Sequence, residues 1–457
     1  MEQHETKRSS FSGKIGFVLS AAGASVGLGN IWRFPYLAAK YGGGIFLVIY
    51  IILALTFGYT MIIAETSLGR MTRKSPVGAY TFFGKSKWIS AGGWINAIIP
   101  ILIVPYYSVI GGWVIKYLIG YVTGQTQAVA VDGYFSEFIS DGVSTEIYFV
   151  IYAVIVLAVI YAGVQNGIER VSKFMMPVLV ILSLIITVYS VTRPGALAGV
   201  KYFLVPNISH FSWMTVVTAM GQMFYSLSIA MGILITFGSY MKRENSIEES
   251  TKQVEIFDTA IAMMAGLMII PAVFAFSGGD AETLQAGPAL MFITIPKVFA
   301  SMGFGTFAGI MFFLLVLFAA LTSSIALTES AVSTFEDEFR WSRKKSTVVI
   351  GVIMIAVGSL SALGYGPLAH VTIIGMQFLD FFDFLTNTVM MPIAAIATCL
   401  LVSKVVGIKR IEEEVTHEGG VFRRKKIFCF MIQYLCPIFA GLILISSIAN
   451  AFGWISM

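Results

Sequence analysis

Long apolar runs alternate along the chain with short polar segments. A bilayer core takes about 20 apolar residues in a helix. Runs of that kind lie near 15–39, 44–69, 91–122, 146–163, 171–191, 213–240, 254–276, 299–334, 346–363, 371–403 and 427–453. The pattern predicts an all-α integral membrane protein with about eleven transmembrane helices.

Composition supports this reading. Of 457 residues, 57% are apolar and 12% charged, against about 25% charged in soluble domains. So few charges cannot clothe a chain of this size in water, and lipid is expected to face most of it. The net charge of +5 does not point to nucleic acid, because the basic residues sit in loops between apolar runs. All Lys and Arg except Arg33, Lys40, Lys116, Arg193, Lys201 and Lys297 fall in the N-terminal tail or in the even-to-odd helix connections. Basic loops stay on the cytoplasmic side. The N-terminus is therefore expected in the cytoplasm, the C-terminus outside, and the chain in the cell (inner) membrane. No cleavable signal is expected, since the first run leads straight into RFPYLAAKYGGG. Cys399, Cys429 and Cys436 lie in or beside apolar runs and read as buried thiols. The four histidines have no metal-ligand spacing, and no nucleophile–base pair shares a membrane depth, so an enzyme is not expected.

Two helices carry interruptions. Helix one, FVLSAAGASVGLGNIWRFP, holds Gly23, Gly27 and Gly29 in mid-span, followed by Asn30. Helix six, GQMFYSLSIAMGILITF, holds Ser226, Ser228 and Gly232 at a comparable depth. Small residues also serve close helix packing. The two interruptions, however, stand five helices apart. That spacing suits inverted repeats, helices one to five and six to ten, whose discontinuous helices meet at mid-membrane. Unwound carbonyls there can hold a cation, and a half-helix N-terminus can receive a carboxylate. A zwitterionic amino acid needs both kinds of group. The expected organisation is a tail (1–14), a first repeat (15–191), a connection (192–212), a second repeat (213–403), a basic loop (404–426) and an eleventh helix (427–457).

Six motifs sharpen the picture: GLGNIWRFP, AETSLGR, PYYSVIGGW, GQMFYSLS, LTSSIALTESAVSTFEDEF and FLDFFDF. In content and order they resemble the neurotransmitter:sodium symporter family, in its bacterial amino-acid branch with a leucine-transporter-like fold. The resemblance implies sodium-coupled symport by alternating access, with two sodium sites. The first would use the Ser25 carbonyl, Asn30, Ser226 and Asp258, together with the substrate carboxylate. The second would use the carbonyls of Gly23, Val26 and Ala319 and the hydroxyls of Thr322 and Ser323. Those hydroxyls could equally bond back to their own helix, and Asp258 could equally be an exposed helix start. Many relatives have asparagine at the position of Asp258, and some need chloride. The glutamate that the leucine transporter places one turn later is Ala262 here. Asp258 would supply the charge itself, so no chloride requirement is expected.

By the same resemblance the substrate pocket comprises Ala24, Ser25, Leu28, Gly29, Ile103, Tyr107, Tyr225, Ser226, Ser228, Met231, Ser323 and Leu327. Tyr107 and the amides near Leu28 and Gly29 would take the carboxylate. The carbonyls of Ser25, Tyr225 and Ser226 would take the amine. No acidic side chain stands where amine carriers place one. Ile103, Met231 and Leu327 favour a bulky hydrophobic or aromatic amino acid, although Ala230 crowds helix six where some aromatic-selective relatives have glycine. Arg33 and Asp383 would close the outer vestibule. Arg8 and Asp337 would close the inner one, with Phe11 in place of a tryptophan and Gln222 and Tyr240 in support. Glu65 would brace the broken helices. Competing readings are a sensor or gated channel of the same fold, a carrier of another zwitterion or an amine, and a proton- or potassium-driven carrier. The sequence sets no oligomeric state.

Overall fold

A computed structural model describes residues 9–278, 287–451 and 454. Those residues are nearly all helical. Two isolated bridges, Gly43 with Pro206 and Ile373 with Met376, are the β-type pairings described. Nine helices are long and apolar enough to cross a bilayer: Gly44–Thr72, Lys87–Val122, Gly142–Tyr161, Val164–Val191, Ile247–Ser277, Gly305–Phe339, Arg343–Leu363, Phe378–Val406 and Lys425–Ala451. They are helices two to five and seven to eleven. Helix one is the pair Lys14–Ser25 and Gly29–Lys40, bent by 53°. Helix six is the pair Trp213–Ser226 and Ile233–Tyr240. Nine spans, ten with the bent helix-one pair, are thus long and apolar enough to cross a bilayer, and the shorter halves of helix six bring the count among the described residues to about eleven.

Polar caps explain why several helices start before the apolar runs do. Asp141 accepts the amides of Val143 and Ser144, so helix four opens at Gly142 rather than near 146. Ser246 accepts the amide of Glu249, which starts helix seven at Ile247 rather than near 254. A side chain that caps a helix satisfies amides the helix leaves orphaned. Two boundaries move the other way. The apolar stretch taken as the start of helix eight belongs partly to a separate helix, Leu290–Ser301. Phe304, in left-handed geometry, then begins helix eight at Gly305. Helix ten starts at Phe378, because the residues before it form the Ile373–Met376 bridge.

Burial separates core helices from lipid-facing ones. The most apolar window of helix three is 83% buried and that of helix eight 72%, against 33% for helices four and eleven. Helices three and eight therefore form the centre, and helices one and six lean on them. Helix two meets the second half of helix six so closely that a Cβ on Gly69 would lie 1.9 Å from the Ile235 carbonyl oxygen. Only glycine permits that approach.

Candidate functional site

Both breaks are local departures from helix geometry. Helix one ends at Ser25, with Val26 extended, and resumes at Gly29. Helix six leaves helical geometry between Ser226 and Ile233. Gly232, Ser228 and Ala230 all take positive φ there, at 69°, 52° and 60°. The last two have no glycine's freedom, and each costs about 1 kcal/mol or more. Specific bonds hold them. The Ser228 hydroxyl donates to the Ala24 carbonyl at 2.9 Å. The Ala230 amide donates to Glu65 Oε1 at 2.8 Å. Glu65 is fully buried, and its other oxygen has no partner among the described residues.

The breaks face one small cavity, about 20 Å³ in volume. Ala24, Ser25, Leu28, Gly29, Ile103, Tyr107, Tyr225, Ser228, Met231, Ser323 and Leu327 line it, with Gly27 and Asn30 added. Ser226, grouped with them from sequence, stands behind the wall in the charged cluster described next. The Leu28 amide donates to the Tyr107 hydroxyl at 3.1 Å, so donors and acceptors sit at one end. Ile103, Met231 and Leu327 supply apolar wall. Gly29 packs flat against Tyr225, where a Cβ would come within 2.3 Å of the ring.

Asp258 is fully buried, which excludes an exposed helix start. Its Oδ1 accepts from the Asn30 amide and from the Ser226 hydroxyl, each at 2.8 Å. Its Oδ2 accepts from the Tyr50 hydroxyl at 2.8 Å. Tyr50 also lies 3.0 Å from Ser226 Oγ. Sequence reasoning passed over Tyr50. The available signal was a phenol inside the apolar run IFLVIYIIL, since a buried tyrosine hydroxyl needs a partner. The Ser25 hydroxyl bonds back to the Ala21 carbonyl, leaving its own carbonyl as the group to offer here.

A second oxygen cluster lies where helix eight crosses the helix one break. Ser323 Oγ is 3.3, 3.1 and 3.2 Å from the carbonyls of Gly23, Ala24 and Val26. Thr322 instead bonds back to Ala319 and Phe318, at 3.1 and 3.0 Å. The two readings of these hydroxyls thus divide between neighbouring residues. Gly23 nonetheless touches Thr322, since a Cβ there would be 3.1 Å from the Thr322 Cβ. Among the described residues no three His, Cys, Asp or Glu side chains gather as a metal site. Carboxylate, carbonyl and hydroxyl oxygens suit hard cations.

Arg33 lies over the Tyr225 ring, 5.4 Å from its centroid. Asp383 accepts from Tyr106 at 3.2 Å and from Asn387 at 2.5 Å. Gln222 needs a correction. It sits in the first half of helix six and donates to the Gly29 carbonyl at 2.9 Å, away from Tyr240 in the second half. On the side carrying the N-terminal segment, Phe11 is fully buried against Phe237 and Tyr240. Tyr240 donates to Glu329 at 2.7 Å, and Arg343 grips both oxygens of Glu329 at 3.0 and 2.5 Å. The sequence reading did not include that buried pair. Asp337 accepts the Ser75 amide at 2.6 Å. Arg8 lies outside the described residues.

Comparison with known proteins places this architecture. A sequence model described as the sodium:neurotransmitter symporter family matches residues 8–132 and 134–453. An uncharacterized sodium-dependent transporter, YhdH, of Bacillus subtilis (strain 168) is 33% identical over 95% of this chain and 96% of its own length. An uncharacterized sodium-dependent transporter of Haemophilus influenzae is 30% identical over 98% of this chain and 100% of its own. The crystal structure of MhsT in complex with L-phenylalanine superposes with a TM-score of 0.86 at 32% identity, covering 96% of this chain and 100% of that one. With a family match and relatives spanning nearly its whole length, the chain belongs to the sodium:neurotransmitter symporter family, whose members are transporters and not enzymes.

Proposed function

We propose that this protein carries a bulky hydrophobic or aromatic amino acid across the membrane together with sodium, without chloride. One observation carries the reading: two broken helices meet at a single cavity, with amides and a phenol at one end, apolar walls, and oxygen clusters on either flank. The substrate carboxylate would meet Tyr107 and the amides around Leu28. The amine would meet carbonyls of Ser25 and Tyr225. Asp258, Asn30 and Ser226 would hold one sodium ion, and Gly23, Val26, Ala319, Thr322 and Ser323 a second.

The bound L-phenylalanine of the MhsT structure favours an aromatic side chain, and deformable Met231 suits one. Substrate and sodium sharing the first cluster would raise each other's affinity by one common factor. Asp258 supports chloride independence, because a sodium ion beside a buried carboxylate needs no further anion. The test is uptake of the twenty amino acids by proteoliposomes, with and without an inward sodium gradient. Concentrative, sodium-dependent uptake of Phe, Tyr, Trp or Leu is expected, unchanged when gluconate replaces chloride. Binding without concentrative flux would favour a sensor or channel. Loss of uptake in gluconate would sink the role given to Asp258.

A further inference from the structure

Behind the second oxygen cluster, helices four, five and eight leave a groove of about 390 Å³. That volume falls within the roughly 300–1,000 Å³ of small-ligand sites. Ile155, Phe174, Met175, Phe318, Leu321 and Ile325 line it. The mouth is open to the surroundings, with Phe174 65% and Ile155 40% exposed. The floor is closed, since Met175, Leu321 and Ile325 are all buried. An acyl chain is the apolar occupant that a bilayer offers along such a face.

One end of the groove is charged. Arg170 lines it there, where the first turns of helix five, Val164–Glu169, pass into regular helix. Among the described residues its guanidinium has no hydrogen-bond or ion-pair partner. The neighbouring cations differ. Lys173 pairs with Glu169 at 2.6 Å, and Arg343 pairs with Glu329 at 2.5 Å. Lys344 lies over the Tyr161 ring, 5.7 Å from its centroid. The bias of Lys and Arg along the sequence places this end at the cytoplasmic leaflet, the leaflet that carries anionic lipid.

We propose that the groove is a binding site for an anionic phospholipid, with an acyl chain along helices four, five and eight and the phosphate on Arg170. A guanidinium with no partner among the described residues matches a phosphate in both charge and donor geometry. The seated chain packs against Leu321 and Met175, each next in sequence to a residue in or directly behind the second cluster. Those residues are Thr322 and Met176, and the Met176 sulfur lies 3.3 Å from where a Cβ on Gly23 would stand. The lipid therefore braces the back of that cluster.

Native mass spectrometry of the purified full chain tests this, with titrations of phosphatidylglycerol and phosphatidylcholine of identical acyl chains. Wild type should retain phosphatidylglycerol preferentially. Arg170→Gln should lower that occupancy about fivefold, the weight of one basic residue at an anionic surface, and leave phosphatidylcholine unchanged. Ile155→Trp, filling the groove from its rim, should remove the tight adduct. Val154→Trp, on the exposed face one residue away, should keep it. Equal retention of the two lipids by wild type would overturn the proposal. So would phosphatidylglycerol retention that neither Arg170→Gln nor Ile155→Trp changes. A dimer mass lost in Ile155→Trp would assign the groove to a second copy of the chain, and overturn it too.

Discussion

At the scale of single residues, the sodium role proposed for Asp258 rests on the donors that surround it. Its carboxylate is surrounded by donors from three helices: Asn30 on helix one, Tyr50 on helix two and Ser226 on helix six. A hydrogen bond to a charged group is worth about 1.5–3 kcal/mol, and about 1.4 kcal/mol is a factor of ten in affinity. Tyr50→Phe should therefore weaken apparent sodium affinity about tenfold or more while the protein stays folded. The sodium dependence of uptake reads this directly, and an unchanged half-saturation would remove Tyr50 from the site. Arg343→Ala should act on stability instead. It leaves Glu329 buried without its cation, with only Tyr240 still donating to it, which costs about 3–5 kcal/mol, so a melting temperature equal to wild type would contradict the ion pair. Asp258 was legible as a candidate only through the family resemblance, since by pattern alone it could equally have opened a helix at the surface. Tyr50 and Arg343 were not, because their partners are distant in sequence and only packing brings them together.

At the scale of elements, the two breaks differ in how the sequence signals them. Helix one announces its break with three glycines. Helix six announces its break with one glycine, Gly232, beside Ser226 and Ser228, yet the break starts at Leu227 and takes Ser228 and Ala230 into left-handed geometry. Glu65 and the Ala24 carbonyl compensate that strain from helices two and one, and no local rule contains them. Helix two is the brace for this half of helix six. Gly69→Ala would drive a methyl into the Ile235 carbonyl. Overpacking of that kind costs roughly 1–3 kcal/mol, and a clearly lower melting temperature with poor substrate retention is expected. A fully stable Gly69→Ala variant would mean that the two helices do not need this approach.

At the scale of the whole molecule, the side with the N-terminal segment is closed by several weak ties. The Phe11 amide donates to the Tyr240 carbonyl at 3.1 Å, the Ser12 amide donates to Glu169 at 2.8 Å, and Gln165 donates to the Ser10 carbonyl at 2.7 Å. Phe11 adds three aromatic edge contacts. Losing a buried phenylalanine costs about 3–5 kcal/mol. Part of that cost falls on the closed form alone, so Phe11→Ala should shift the population toward opening on this side. Faster labelling of a cysteine placed at Ser239 would report it. Equal labelling in both backgrounds would show that Phe11 does not hold the closure. Arg33→Ala or Asp337→Ala should lower steady-state uptake, and wild-type rates in both would remove them from the gates.

The sequence by itself determined the membrane class, a count of about eleven helices and the two interruptions five helices apart. Apolar length, charge sparsity and glycine content are local quantities, and they survive without knowledge of any contact. Tertiary structure alone decided which polar groups share a partner. It placed Tyr50 on Asp258, Gln222 on Gly29 rather than near Tyr240, and Ser323 on the carbonyls of helix one while Thr322 turned back on its own helix. A buried donor takes whichever acceptor packing brings within about 3 Å, and no one-dimensional pattern encodes that choice.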